Sequence, residues 1–132
     1  MTNLLIYKLK LILLKERLAI CRLAPDELMP EWGTKGTFWT ILRSDSELSI
    51  VCPQKFVPAG IKCESGWRAF KVTGTIPFES AGILTSIANP LADAGISIFA
   101  ISSYETDYVL VKEENLDKAI NILTVTGHNI EN

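Results

Sequence analysis

Two segments of the chain read as one hairpin written twice. Residues 40–53, TILRSDSELSIVCP, lie on residues 100–113, AISSYETDYVLVKE, without a gap. Apolar run falls on apolar run, and a polar loop falls on its like. In this alignment Asp45 meets Glu105, Ser46 meets Thr106, Glu47 meets Asp107 and Val51 meets Val111. An internal repeat constrains a chain more than composition does, because each copy must be a supersecondary unit with its own apolar face to bury. Upstream, RLAP ending at Pro25 matches TGTIP ending at Pro77. The first copy is shorter in the segment DELMPEWGTKG, where the second carries a helical pattern.

Short strand-like runs alternate with helix signals. LKLILL, RLAICRL, FWTIL, ELSIVC, WRAFKVTG, SIFAIS and DYVLV read as strands. Ile83, Leu84, Ile87, Ala88, Leu91 and Ala92 recur at threes and fours, with Ser80 as N-cap, Gly82 near the second position and Gly95 just past the end. Pro90 lies inside this helix and should bend or shorten its last turn. Leu116, Ala119, Ile120 and Leu123 mark a second helix ending at Gly127. The order is that of an α+β fold, two copies of strand-helix-strand-strand-helix. The first copy, residues 1–65, has both helices eroded, and QKFVP stands where the second copy, residues 66–132, has NLDKAINILTVTG. Apolar residues on both faces of ISIFAI suit a central strand.

Composition narrows the function classes. A chain of 132 residues, 48% hydrophobic and 21% charged, has the balance of a globular protein with one ordinary core or two small modules. Its net charge is −2, and its 13 basic residues are scattered rather than gathered in a stripe, which argues against nucleic acid as a partner. Cys21, Cys52 and Cys63 are odd in number and lack C-x-x-C spacing, as reduced cytoplasmic thiols would be. A single histidine, His128, excludes a multi-histidine metal site within one chain, and the cysteine spacing supports no metal. Lys8, Lys10 and Lys15 interrupt the apolar N-terminal run well short of a membrane helix, so neither a span nor a targeting segment is expected.

Catalytic motifs are missing from the sequence: it contains no G-x-S-x-G, H-E-x-x-H or P-loop. Glu105 and Asp107 form a pair of carboxylates with no identifiable substrate. Binding has a better physical basis. The helix start near Ser80 offers unpaired N–H groups, and Gly82 lets a ligand approach the backbone closely. Such a terminus favours an anion such as a carboxylate. Asp107 is then the candidate partner for an amine, if residues 102–107 fold beside that start. The plainer reading keeps Ser80 as a cap, Gly82 as a packing contact, residues 103–107 as a solvated turn, the tryptophans as core or interface, and His128 as a side chain satisfied at a helix C-terminus.

LAICRLAPD, ELSIVCP, NLDKAINIL and the long segment from Gly66 to Val111 together resemble the small tandem ACT-domain proteins of bacteria, whose repeats look like those of the CASTOR-type arginine sensors. The resemblance runs from about residue 8 to near the end and is most specific over 79–111. It implies ferredoxin-like βαββαβ modules, antiparallel sheet with helices on one face, at 1–65 and 66–132. It also implies a non-catalytic, cytoplasmic regulatory protein without a cofactor, binding an amino acid or similar small effector at a module or subunit interface. By the same resemblance, the backbone of Gly82 and Ile83, beside Ser80, would hold the ligand carboxylate. Ser103, Tyr104, Thr106 and Asp107 would line the other side, with Asp107 facing the amino group. Because the sensors carry more modules than this chain, a homodimer is implied, together with a regulated protein partner. The alternative is a structural or protein-interaction module whose effector site is vestigial.

Overall fold

Alternation of apolar and polar residues builds the strands. In β1 (Lys10–Leu13), Leu11 and Leu13 are buried while Lys10 is exposed, the period-two pattern of a strand with one covered face. The computed structural model describes residues 8–73 and 82–132. The chain divides into two compact units: a smaller one, Glu16–Trp67, and a larger one that joins Met1–Lys15 to Arg68–Asn132. One strand, β5 (Cys63–Thr73), contributes residues to each.

In the smaller unit, β4 (Leu48–Pro53) pairs antiparallel with both β3 (Thr40–Arg43) and β2 (Leu18–Leu23). The other side of β2 pairs antiparallel with the start of β5, with a bulge between Leu18 and Ile20. The strand order is therefore β3-β4-β2-β5. This is the order of a βαββαβ module, but short 3-10 turns, Glu31–Thr34 and Gln54–Phe56, stand where the helices would be. Ala19, Cys21, Leu48, Ile50 and Cys52 form its core, closed over by Trp32, Val57 and Ile61. Gly33 lies so close to Ile50 that an added Cβ would sit 3.1 Å from its methyl group, so the turn itself does the packing a helix would do.

The larger unit holds β1, the rest of β5, α1 (Ile83–Asp93), β6 (Ile98–Ser102), β7 (Asp107–Lys112), α2 (Leu116–Thr126) and β8 (Asn129–Glu131). Its strands run in the order β6-β7-β5-β1-β8. β1 is antiparallel to β5 but parallel to β8, so the sheet is mixed rather than wholly antiparallel. The cause is the N-terminal strand, which enters between β5 and β8. Leu11, Leu13, Phe70, Val72, Val109 and Val111 come from one face of the sheet. They pack with Ile83, Ile87 and Leu91 of α1 and Leu116, Ala119 and Leu123 of α2, which puts both helices on that face.

Three expectations are corrected. Among the described residues β6 pairs only with β7 and so lies at an edge rather than at the centre; Phe99 and Ile101 are half-buried, because apolar residues on both faces do not distinguish an edge from a centre. Gly82 is not inside the helix but precedes it, in the left-handed region at φ 88°. Pro90 leaves the helix running to Asp93, where Gly95 closes it through Gly95 N–H to the Ala92 carbonyl and Ile96 N–H to the Leu91 carbonyl. Ser80, expected as the cap, lies outside the described residues.

Candidate functional site

The loop between β6 and β7 is wider than a two-residue turn, and hydroxyls close it. Ser102 and Asp107 are the last paired residues of the ladder. Between them Ser103 N–H donates to the Thr106 carbonyl at 2.8 Å, Ser103 Oγ donates to the same oxygen at 3.0 Å, and Thr106 N–H donates to Ser103 Oγ at 3.2 Å. This is a local side-chain turn, and it commits the Ser103 hydroxyl to the backbone. Tyr104 at the tip is 83% exposed.

The β3–β4 loop is closed the same way. Ser44 N–H and Oγ donate to the Glu47 carbonyl at 2.9 and 3.4 Å, and Glu47 N–H returns to Ser44 Oγ at 3.3 Å. Arg43 and Leu48 flank this loop as Ser102 and Asp107 flank the other. The structural correspondence therefore sets 43 on 102 and 48 on 107, one residue short of the gapless alignment of 40 on 100. Glu47 answers to Thr106, and Val51 to Leu110. A one-residue slip exchanges the two faces of a strand, and the core decides between the registers. Ile50 and Cys52 face one core, Val109 and Val111 the other, and they correspond only in the shorter shift.

The same alternation places Asp107. With Val109 and Val111 on the helix-covered face, Asp107 begins that row, beside its cross-strand partner Ser102. It is half-buried, and among the described residues its carboxylate makes no hydrogen bond or ion pair.

The start of α1 lies at the same end of the unit. Lys10 pairs with Thr73 and with Asn129, so β5 ends where β1 and β8 begin. At the opposite end, Arg68 pairs with Glu113 at 3.6 Å, just after β7 finishes, and Lys118 Nζ donates to the Ala94 carbonyl at 3.1 Å. β7 thus ends near Arg68 and begins at the Thr73 end, with the 103–106 loop. α1, whose last turn meets Lys118, starts at that end as well.

Gly82 gives α1 no side-chain cap. Its carbonyl accepts from Ser86 N–H at 2.9 Å and Ser86 Oγ at 2.7 Å. The N–H groups of the first turn have no intrahelical acceptor and form the positive end of the helix. Ile83 is 6% exposed and packed in the core, so only its backbone can meet a ligand. Gly82, Ile83, Ser103, Tyr104, Thr106 and Asp107 are therefore brought to one end of the larger unit, with a donor-rich helix start and an acidic strand start.

His128 also lies at this end and was misread from the sequence. It is 3% exposed. Leu9 N–H donates to its Nδ1 at 3.1 Å, and Nε2 lies 2.9 Å from the Ser86 carbonyl, so its role is to join segments rather than to satisfy a helix dipole. A lone histidine after a glycine gave no signal of this. Among the described residues, no group of three His, Cys, Asp or Glu side chains could hold a metal, and no helix is long and apolar enough to cross a membrane.

Known proteins share the fold. Residues 62–125 match the model of the ACT domain, and residues 16–60 match that of a separate N-terminal domain. The "Cytosolic arginine sensor for mTORC1 subunit 1" of Homo sapiens is 33% identical over 95 residues, 66% of this chain and 29% of the sensor. The chain thus spans about three tenths of the length of that curated relative. An X-ray structure of a protein from Agobacterium tumefaciens is similar with a TM-score of 0.91 and 36% identity, covering 95% of this chain and 93% of that one. The regulatory subunit of aspartate kinase from Thermus thermophilus shares the fold, with a TM-score of 0.60 at 13% identity over 88% of this chain and 95% of that one. On the strand order, the helix-covered face and these matches, residues 62–125 of the chain form an ACT domain.

Proposed function

We propose that this protein is a cytoplasmic, non-catalytic regulator that binds an amino acid at the end of the larger unit where α1 and β7 begin. The observation that carries the reading is the half-buried Asp107 carboxylate, without a partner among the described residues, at the same end as a helix start whose N-cap, Gly82, has no side chain to cap it. A zwitterion matches both: its carboxylate suits the N–H groups that follow Gly82, and its ammonium suits Asp107. Ser80 would extend the helix side of the site. Tyr104 and Thr106 would line the loop side, with the Ser103 hydroxyl holding the loop in shape. A homodimer would cover the exposed Tyr104 and complete the site, and ligand occupancy would alter the surface read by a regulated protein. The sensing role in the printed name of the Homo sapiens relative supports this class of ligand. Its limited coverage leaves the particular amino acid to experiment.

Thermal unfolding against each of the twenty amino acids tests the proposal. A ligand at 100 times its Kd stabilises the fold by about 2.7 kcal/mol. At the same ligand concentration Asp107→Asn should cut the stabilisation to about 0.3–1.4 kcal/mol while leaving the unliganded midpoint in place. No shift with any amino acid would overturn the reading.

A second reading, a protein-interaction module with a vestigial effector site, has its own support in the smaller unit. Leu28, Met29, Trp39 and Leu42 are exposed there. Arg43 fixes residues 25–27 through hydrogen bonds to the Pro25 and Glu27 carbonyls. Under this reading no amino acid shifts the midpoint, and charge substitutions at Leu28 and Leu42 abolish capture of a protein partner.

A further inference from the structure

The three cysteines are far apart in sequence and close together in the smaller unit. Cys21 lies on β2, Cys52 on β4 and Cys63 at the start of β5, all at one core cluster. All are free thiols. Cys21 and Cys52 are buried and Cys63 is partly exposed.

Their registers differ in what they permit. Cys21 stands directly opposite Cys63 in the antiparallel β2–β5 pair. Arg22 N–H donates to the Lys62 carbonyl at 3.0 Å, one residue outside the cysteine pair, so Cys21 and Cys63 occupy a non-hydrogen-bonded position. At such positions Cα atoms approach to about 4.5 Å, within the span a disulfide accepts. Cys52 is instead opposite Ala19, which makes it only a diagonal neighbour of Cys21. Diagonal side chains start about 7–8 Å apart, too far for a sulfur–sulfur bond without backbone movement. A thiol hydrogen bond reaches further than a covalent bond. The Cys21 thiol uses this to contact Cys52 in the reduced protein, and that contact, with burial, pushes its pKa up.

We infer that Cys21 and Cys63 are a reversible disulfide site, oxidised by a small peroxide that enters at Cys63. Cys63 Sγ has access to solvent and lies 3.9 Å from Ser65 Oγ. Its thiolate attacks one peroxide oxygen, the O–O bond breaks, and the leaving hydroxide takes up a proton to become water. The resulting sulfenic acid is met by Cys21 across the ladder. The S–S bond forms, the S–O bond breaks, and the oxygen leaves as a second water with the Cys21 proton. Two thiols are oxidised and one peroxide is reduced to two waters. In the reduced protein the Cys21 thiol hydrogen-bonds Cys63 as well as Cys52, and closing the bond draws it from Cys52 towards Cys63. The bond would tie β2 to β5 and can be reversed by a dithiol, as exposed cross-links in reducing compartments generally are.

The experiment treats the folded full-length protein with hydrogen peroxide, without denaturant, and follows it by intact mass and peptide mapping. The expected product has lost two hydrogens, contains a Cys21–Cys63 peptide, and returns to the starting mass with dithiothreitol. Cys52→Ser should keep the cross-link, and Cys63→Ser should abolish it. A map with Cys63 as a sulfinic acid beside a free Cys21 overturns the proposal. So does a bridge from Cys21 to Cys52. Because the unsubstituted protein supplies the map, the result stands even if a variant fails to fold.

Discussion

The Nε2 of His128 donates to the carbonyl of Ser86 at 2.9 Å, supplying the hydrogen bond that Pro90 withholds. In a regular helix the N–H of residue 90 would reach the carbonyl of residue 86. Proline has no N–H, so residue 90 cannot give that carbonyl its helical hydrogen bond. Because Nδ1 accepts from Leu9 N–H, the proton must sit on Nε2, which makes it the donor Ser86 needs. One imidazole thereby joins α1, the residue before β1, and the turn between α2 and β8.

Replacing His128 with Ala removes two backbone hydrogen bonds: the one the part-buried Leu9 N–H donates to Nδ1, and the one the Ser86 carbonyl accepts from Nε2. Each bond contributes about 0.5–1.5 kcal/mol net, so unfolding in urea should show a loss of roughly 1–3 kcal/mol. Pro90→Ala restores the helical donor to Ser86. In that background His128→Ala should cost about 0.5–1.5 kcal/mol less, a coupling that a double-mutant cycle reads directly. Additive effects would separate the two residues.

This relationship marks where sequence reading reached its limit. The helices were legible because Ile83, Ile87 and Leu91, and Leu116, Ala119 and Leu123, repeat at helical spacing and all go inward. The reduced helices of the smaller unit were legible as a missing pattern in DELMPEWGTKG and QKFVP, where two 3-10 turns stand. Pairings that depend on distant partners were not. Nothing in KLIL says that it enters between β5 and β8, and β8 has only three residues. The hairpin repeat was seen in the wrong register because the loops are rich in serine and acid at several offsets. Only burial of Ile50 and Val109 fixes the true one.

Gly127 is the next test. It holds φ 111° and ends α2 by donating to the Thr124 carbonyl, while His128 N–H reaches the Leu123 carbonyl. This turn delivers the imidazole to Ser86. An alanine there meets left-handed strain of about 1–2 kcal/mol, and its Cβ would lie within 3.0 Å of the Lys8 side chain. Gly127→Ala should therefore lower the urea midpoint, and Gly127→Asn, which tolerates this region better, should lower it less.

Arg68 offers a contrast between a part-buried and an exposed ion pair. Its side chain is 14% exposed, and it donates to the Leu14 carbonyl at 3.1 Å while pairing with Glu113 at 3.6 Å. Arg68→Ala should cost about 2–3 kcal/mol, since it strips a charged hydrogen bond from a part-buried carbonyl and the packing of the stem. Lys10→Ala, which breaks the exposed pair with Glu131, should cost less than about 1 kcal/mol. Equal losses in chemical denaturation would refute the distinction.

Ser103 and Asp107 separate the shape of the loop from what it binds. Ser103 Oγ gives one hydrogen bond to the Thr106 carbonyl and receives one from Thr106 N–H, so Ser103→Ala should destabilise the fold by roughly 1 kcal/mol. Asp107 has no such bonds among the described residues. Asp107→Asn should leave the unliganded stability within about 0.5 kcal/mol of the parent, as for a side chain without structural partners. The order reverses for a bound amino acid, because an ammonium that loses its carboxylate loses a charge-assisted hydrogen bond of about 1.5–3 kcal/mol, roughly 10- to 150-fold in Kd. Ser103→Ala keeps every group proposed to touch the ligand and should change Kd far less. Calorimetric titration of both variants with whichever amino acid shifts the parent's midpoint decides the matter: equal weakening by the two would mean that the loop acts only through its shape.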